Sequence, residues 1–211
     1  CLNTGCVPSK ALLAAGHAAH IVRDSSRFGV NGHQPDIAFR KVHNHVHDVI
    51  AGIAPHDSVE RFEGLGVQVI QAVAHFTGRR ELEAGGTTVR ARRFVIATGS
   101  SPAVPPIEGL AAVPYLTNES VFELAELPEH LIVLGGGPIG IEMAQAFRRL
   151  GAKVSVIEAF GILAKDDPEA VQVVREALLR EGVILREGVK VTADRRDDNG
   201  IALDLADRTG A

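Results

Sequence analysis

Two cysteines and a lysine at the start of the chain could carry redox chemistry. Cys1 and Cys6 lie five residues apart, and Lys10 follows four residues later. Pro8 suits the first turn of a helix, and the Ala-Leu-Leu-Ala-Ala run after Lys10 favours its continuation to about residue 24. The positive end of such a helix and a nearby ammonium favour the thiolate form of a cysteine. The pattern therefore predicts a redox-active dithiol.

Two other uses of the cysteines stay open. A structural disulfide is one, although so short a loop removes little chain entropy and the sequence has only these 2 cysteines. A structural zinc site is the other, although such a site usually takes four ligands in closely spaced pairs, and no second pair is present. The residues around the cysteines favour the redox interpretation.

A glycine-rich turn later in the chain could bind a dinucleotide. The apolar run at 131–134 predicts a buried strand, and a helix that Gly151 ends should follow the glycines. Such glycines allow a tight turn and a close approach of phosphate, while the helix N-terminus offers N–H donors. The candidate binding residues are Gly135, Gly136, Gly137, Pro138, Ile139 and Gly140.

An acidic residue follows at the spacing that a nucleotide site needs. The next predicted strand, 153–157, ends at Glu158, which lies 21 residues after Gly137. A carboxylate there accepts hydrogen bonds from the adenosine ribose and repels a 2′-phosphate, and positions 159–161 offer no arginine to hold one. The sequence therefore favours NAD over NADP. The alternative is a glutamate that merely ends a strand.

The run Cys-Leu-Asn-Thr-Gly-Cys-Val-Pro-Ser-Lys at residues 1–10 resembles the active-site signature of the flavoprotein disulfide reductases. The resemblance implies that Cys1 exchanges with a disulfide substrate, that Cys6 forms a charge-transfer contact with FAD, and that Lys10 lies beside the flavin ring. It also implies an ion pair between Lys10 and Glu142, the second residue after Gly140. Within the family the sequence is most similar to dihydrolipoamide dehydrogenase, with mercuric reductase as the alternative.

The same resemblance assigns further cofactor contacts and a quaternary state. Thr98, Gly99 and Ser100, at the end of a predicted buried strand, would lie against FAD. Ala74 would lie at the adenine end of the flavin, and Val191 would touch the adenine of NAD. The substrate would be a small or protein-bound disulfide, and a homodimer would form, in which the second chain supplies a His-Glu acid/base pair.

The predicted fold is α/β. We expect an incomplete FAD-binding domain at 1–125, built of helices and an antiparallel β excursion, then an incomplete Rossmann-like NAD-binding domain at 126–211. The family's upstream glycine-rich flavin motif and its C-terminal dimerisation domain are not among these 211 residues. The sequence therefore resembles a central segment of a longer family member, and as such a segment it could bind nucleotide without turnover.

Local patterns place the other elements. Helices are expected after Asp36, with Pro55 at the end, and after a cap at 57–60. Strands are expected at 67–70, 73–76, 81–83, 88–92 and 94–98, with a turn at Gly85-Gly86. A helix at 168–181 and strands at 183–186, 190–193 and 201–205 follow, with a turn at 197–200.

The histidines of the second helix do not predict a metal site. His43 and His47 are four residues apart and share a helix face, but no carboxylate or cysteine is placed to complete a facial site. An exposed polar stripe opposite the valines accounts for them.

Composition excludes several classes of function. The net charge of −4 gives no basic patch for nucleic acid, and no run of 18 apolar residues predicts a membrane span. A thiolate pair fits a reducing cytoplasm better than a secreted scaffold.

Overall fold

A computed structural model describes residues 1–197 and 200–207. The chain forms two compact units: Cys1–Ile50 with Val104–Ala211, and Ala51–Ala103. The division into compact units places residues 1–50 in one unit with residues 104–211. The predicted functional boundary between 1–125 and 126–211 is a different kind of division and stays a prediction. Among the described residues, none of the helices has the length and apolar character needed to cross a membrane.

The first unit is built around two packed helices, α1 (Cys6–Asp24) and α4 (Pro138–Leu150). Gly16 lies at their closest approach, where a Cβ atom would stand 3.2 Å from the carbonyl oxygen of Ala146. The buried core joins both helices to α2 (Phe39–Ile53), through residues such as Leu12, Val46 and Phe147. The predicted helices at 8–24 and after Asp36 are confirmed.

A parallel sheet of three strands completes this unit. Its order is β4 (His130–Leu134), β5 (Lys153–Glu158) and β6 (Ile184–Glu187), with α4 between β4 and β5 and α5 (Pro168–Arg180) between β5 and β6. The apolar run of β5 is almost wholly buried, as expected of a parallel strand covered on both faces. The strand–helix–strand order predicted around the glycine-rich turn is confirmed.

A separate hairpin joins β7 (Val189–Asp197) to β8 (Gly200–Asp207). These antiparallel strands are longer than the predicted 190–193 and 201–205. The turn predicted at 197–200 includes residues 198 and 199, which lie outside the described residues.

The second unit holds α3 (Val59–Gly64) and an antiparallel sheet. The hydroxyl of Ser58 accepts a hydrogen bond from the Arg61 N–H at 3.2 Å, so the predicted helix cap is confirmed. The strands are β1 (Ala74–Gly78), β2 (Glu81–Ala84) and β3 (Thr87–Arg90), in that order. Gly85 and Gly86 have φ values of 56° and 76°, which glycine adopts without steric cost in a hairpin turn.

Two predicted strands of this unit are wrong. Residues 67–70 and 94–98 have no regular secondary structure, and Val95 and Ile96 are 91% and 73% exposed. A buried strand needs hydrogen-bonding neighbours and a covering layer on both faces. In the part of the chain that the structure describes, no strand pairs with residues 94–98.

Candidate functional site

The two cysteines meet at the start of α1. The Cys1 and Cys6 Sγ atoms are 3.7 Å apart, and both residues are exposed free thiols. Cys6 is the first residue of the helix, so the position predicted for it at a helix N-terminus is confirmed. A dithiol this close can form a disulfide after a small side-chain movement and can be reached from solvent.

The backbone around the cysteines is tightly constrained. Gly5 has no room for a side chain, because a Cβ atom would lie 2.9 Å from the Cys1 Cα. The Asn118 side-chain amide donates to the Thr4 carbonyl at 3.0 Å, and the Ser9 hydroxyl donates to the Cys6 carbonyl at 3.1 Å. These contacts hold the two sulfur atoms together. No local pattern predicts this contact of Asn118, which lies 114 residues further along the chain than Thr4.

Lys10 and Glu142 form the predicted ion pair. The Lys10 Nζ lies 2.5 Å from the Glu142 Oε1, and the two residues are 132 positions apart. Their side chains are 60% and 39% exposed, and a pair that is this accessible stabilises a fold by only about 0.2–1 kcal/mol. The contact is confirmed, and at this exposure it adds little to the stability of the fold.

The packing of α1 on α4 explains how this pair forms. The approach at Gly16 brings the helices together, and the Arg23 guanidinium donates to the Arg149 carbonyl at 2.5 Å. Burial and the charge of Arg148 lower the pKa of Arg23, and Glu181 partly offsets both effects. The helix–helix contact therefore places the lysine of one helix beside the carboxylate of the other.

The glycine-rich turn connects β4 to α4 in a conformation that needs its glycines. Gly135 has φ 109°, and a Cβ atom on Gly140 would lie 2.2 Å from the Gly135 carbonyl oxygen. Gly137, the residue before the helix, faces open space instead. The first intrahelical donor is Ile141, so the N–H groups of Ile139 and Gly140 point out of the helix end. Pro138 occupies the first helical position, where its fixed φ and missing N–H are tolerated.

Glu158 is built into this turn. Its Oε2 accepts from the Gly136 N–H at 2.7 Å, and its Oε1 accepts from the Phe160 N–H at 2.9 Å. The carboxylate thus joins the end of β5 to the turn after β4. The sequence placed Glu158 at the end of a strand but did not predict these backbone partners.

A second carboxylate supports the same region. The Glu187 Oε1 accepts from the Ile162 N–H at 2.8 Å, and Arg175 holds both carboxylate oxygens at 2.7 and 3.0 Å. The hydrogen bonds from Arg175, which outweigh the effect of burial, lower the pKa of Glu187. Ile162 in turn lies against Gly136, where a Cβ atom would be 2.9 Å from its Cγ2. The sequence analysis missed this support, which local patterns do not reveal.

The other residues predicted to contact a cofactor belong to other elements of the chain. Thr98, Gly99 and Ser100 are exposed residues of the second unit and follow the segment that forms no strand. Ala74 begins β1 and pairs with Ala84, and Val191 belongs to β7. The structure brings together Cys1, Cys6, Lys10 and Glu142 in two contacts, and Glu158 with the glycine-rich turn. The cofactor roles of all these residues stay predictions.

Comparison with known proteins gives a consistent result. The family model described as pyridine nucleotide-disulphide oxidoreductase matches residues 1–210. A mercuric reductase of Streptomyces lividans is 38% identical over 216 residues, which cover 100% of this chain and 45% of that protein. A dihydrolipoyl dehydrogenase of Thermus scotoductus is 33% identical over 213 residues, which cover 95% of this chain and 43% of that protein.

Solved structures agree with the sequence relatives. LpdA from Mycobacterium tuberculosis matches with a TM-score of 0.78 at 26% identity, over 100% of this chain and 47% of that one. The HOCl-induced flavoprotein disulfide reductase RclA from Escherichia coli matches with a TM-score of 0.73 at 26% identity, over 97% of this chain and 44% of that one. The chain spans less than half the length of each of these proteins. It belongs to the pyridine nucleotide-disulphide oxidoreductases, a family of flavoprotein enzymes that use FAD and NAD(P)H.

Proposed function

We propose that this chain carries the dithiol centre and part of the nucleotide sites of an oxidoreductase that moves electrons between NADH and a disulfide or dithiol substrate. One observation carries the proposal: two exposed thiols 3.7 Å apart stand at the start of a helix whose lysine pairs with Glu142. A structural disulfide would not need a free, solvent-accessible pair or a charged neighbour.

The dithiol can transfer two electrons by thiol–disulfide exchange. The Cys1 thiolate attacks one sulfur of the substrate, the substrate S–S bond breaks, and its other sulfur leaves as a thiolate. The Cys6 thiolate then attacks the Cys1 Sγ, which forms the Cys1–Cys6 disulfide and releases the second substrate thiolate. The substrate gains two electrons and the protein dithiol loses two. The reverse sequence oxidises a dithiol substrate.

FAD, when bound, supplies the two-electron chemistry that restores the dithiol and links it to the nicotinamide. Cys6 and Lys10 would face the flavin, and Thr98, Gly99, Ser100 and Ala74 would hold its other parts. The exposed peptide groups and hydroxyls of residues 98–100 suit hydrogen bonding to a cofactor. The Lys10–Glu142 pair would hold a positive charge in place at the thiol end of the site.

The glycine-rich turn fits a dinucleotide. Gly137 leaves open space beside the outward-pointing N–H groups of Ile139 and Gly140, and this combination accepts a pyrophosphate. We therefore assign residues 126–211 to a Rossmann-like NAD-binding domain in which Gly135, Gly136 and Pro138 shape the turn and Val191 borders the adenine.

Glu158 sets the choice of nucleotide in this proposal. Its oxygens already accept from the Gly136 and Phe160 N–H groups, and a carboxylate oxygen retains acceptor capacity for a ribose hydroxyl. A 2′-phosphate would meet the negative charge of Glu158, and Ala159, Phe160 and Gly161 offer no cation to balance it. NADH is thus the preferred cofactor.

Two substrates have equal support. The Thermus scotoductus relative is a dihydrolipoyl dehydrogenase, and the Streptomyces lividans relative is a mercuric reductase. The relatives do not separate them, so the ranking rests on resemblance: the Leu-Asn-Thr-Gly-Cys run and the strand that ends at Glu158 place lipoamide first and mercuric ion second. We propose the cytoplasm as the location and a homodimer as the working unit. An assay of NADH oxidation by the whole FAD-loaded protein, with lipoamide and with Hg²⁺, separates the two.

A variant pair tests the dithiol. Cys1→Ser should abolish disulfide reduction, because the sulfur proposed to attack the substrate is lost and Cys6 alone cannot form the intramolecular disulfide. Cys6→Ser should remove the long-wavelength thiolate-to-flavin band. Flavin content and the thermal midpoint serve as folding controls in both variants. Disulfide turnover at the wild-type rate in Cys1→Ser, or an unchanged band in Cys6→Ser, would contradict the assignment.

A further inference from the structure

Two histidines and a glutamate form a cluster that the proposed redox chemistry does not use. His43 and His47 lie one turn apart on α2, and Glu123 comes from a short 3₁₀-helix, Val121–Glu123. One ligand atom from each of the three side chains lies within 4.8 Å of the other two. The sequence-based expectation that no carboxylate completes the histidine pair is therefore wrong, because the fold brings Glu123 to it from a distant part of the chain.

The backbones that carry these side chains are firmly anchored. Val46 on α2, and Val121 and Phe122 beside Glu123, are all buried in the same hydrophobic core. His43 and His47 are half-buried, and Glu123 is exposed. The arrangement fixes the ligand-bearing backbones and leaves one of the three ligands, Glu123, exposed to solvent.

One ring nitrogen of this cluster lacks a hydrogen-bond partner among the described residues. The His47 Nε2 is buried and, among the described residues, has no hydrogen-bond partner. Its nearest carboxylate oxygen, the Glu123 Oε2, is 3.6 Å away, which is beyond a good hydrogen bond. The centroids of the two imidazole rings are only 4.3 Å apart, so nitrogens of both rings can approach a single ion. A metal ion would supply the partner that the His47 Nε2 lacks, and the Glu123 carboxylate would balance part of its charge.

We propose that His43, His47 and Glu123 bind a divalent zinc-like ion. Two histidines and one glutamate are a known ligand set for Zn²⁺, with a fourth position open to water. Ligand atoms in a tetrahedral zinc site lie roughly 3.3 Å apart, given metal–ligand bonds of about 2.0–2.1 Å. The side chain of Glu123, which is 65% exposed, can rotate to close the remaining gap.

A neighbouring residue supports the orientation of His43. The Asn44 Oδ1 lies 3.3 Å from the His43 Nδ1 and can accept its proton, which leaves the lone pair on Nε2 for the metal. Hydrogen bonds of this kind commonly fix the tautomer of a metal-binding histidine. The bound ion would act as a clip that joins α2 to the segment at 121–123.

Zinc titration of the whole protein tests the proposal. The cysteines would also bind zinc, so the titration uses a background with Cys1→Ser and Cys6→Ser, produced without a polyhistidine tag. Calorimetry should show one Zn²⁺ per chain, and the ion should raise the thermal midpoint. His43→Ala and Glu123→Gln should each weaken binding by at least about 10-fold.

Matched controls keep the outcome clear. His45→Ala removes an exposed histidine of the same helix, and Glu119→Gln removes an exposed carboxylate near Glu123. Both should bind zinc like the background protein. Circular dichroism without zinc shows whether each variant is folded. The proposal is overturned if the background protein binds no zinc with saturation, or if folded His43→Ala or Glu123→Gln binds it as before. In that case the cluster is only an ion pair between His47 and Glu123.

Discussion

Glu181 joins the end of α5 to α4, and its replacement by glutamine should weaken the unit that holds the dithiol. The Arg149 guanidinium donates to its two carboxylate oxygens at 2.7 and 2.6 Å, and the Gln145 amide donates at 3.0 Å. The Arg149 and Glu181 side chains are only 16% and 13% exposed. Arg148 also donates to the Glu181 carbonyl at 2.7 Å. The Glu181 carboxylate is therefore the main polar link between the two helices.

The size of the effect follows from burial and geometry. Loss of one partner from a fully buried ion pair costs about 3–5 kcal/mol, because the other charge is left uncompensated. Glu181→Gln retains one side-chain acceptor and the pair keeps some access to water, so we expect a loss of about 2–3 kcal/mol. Glu176→Gln is the control, since its Arg180 partner is 3.8 Å away and both side chains are mostly exposed. Its cost should stay below about 0.5 kcal/mol.

The pH dependence gives a second test of the same contact. Burial raises the pKa of Glu181, but the hydrogen bonds and charge of Arg149, with His20 and Gln145, outweigh it and lower the pKa below the ordinary value of 4.5. A carboxyl with a depressed pKa in the folded state stabilises the fold fully above that ordinary value. The contribution is lost as the pH falls through the lower folded pKa. The difference between wild type and Glu181→Gln should therefore be constant near neutral pH and shrink below pH 4.5.

Urea unfolding followed by circular dichroism measures these differences. The comparison needs wild type, Glu181→Gln and Glu176→Gln at pH 7 and at several values below 4.5, with equal m-values in all three proteins. Equal losses in the two variants at pH 7 would refute the argument, and so would a difference that grows as the pH falls.

Four glycines and Glu158 yield further predictions. Gly16→Leu should lower the free energy of unfolding, measured in urea, by at least about 1–3 kcal/mol, because the new side chain forces α1 away from α4. Gly52→Ala should raise it by about 0.4–1 kcal/mol, because the space around its Cβ is open. Gly140→Ala places a Cβ 2.2 Å from a carbonyl oxygen of the turn and should lower both stability and NADH affinity. Gly137→Ala should lower only the affinity in an NADH titration, and an equal loss of stability in both variants would contradict this. Glu158→Ala should lower the ratio of kcat/KM for NADH to kcat/KM for NADPH, because the charge that repels the 2′-phosphate is removed. A wild-type preference for NADPH would refute the basis of that prediction.

Sequence patterns predicted the elements whose signals are local. Pro8 and the alanine–leucine run mark α1, the Gly85-Gly86 pair marks the hairpin turn, and the glycine-rich turn lies between its expected strand and helix. In each case the residues that determine the backbone conformation are neighbours in the chain. The conformational preferences of these residues can therefore be predicted without knowledge of the fold.

Contacts between distant residues were beyond such patterns. The Lys10–Glu142 pair was expected only from the family resemblance, and the contacts of Asn118 with Thr4 and of Glu123 with the histidines were not expected at all. Each depends on how helices and loops pack, which periodicity and spacing do not specify. Polar side chains at these positions look like ordinary surface residues until the fold brings them together.

Residues 94–98 show how a clear local preference can fail to become a strand. Their sequence, Phe-Val-Ile-Ala-Thr, is rich in the aromatic and β-branched residues that suit a strand buried on both faces. Such a strand needs a neighbour for its backbone hydrogen bonds and side chains packed over each face. Neither condition is met within residues 1–197 and 200–207, where Val95 and Ile96 remain exposed and no strand pairs with the segment. Composition thus sets a preference for a strand, and pairing decides whether that strand forms.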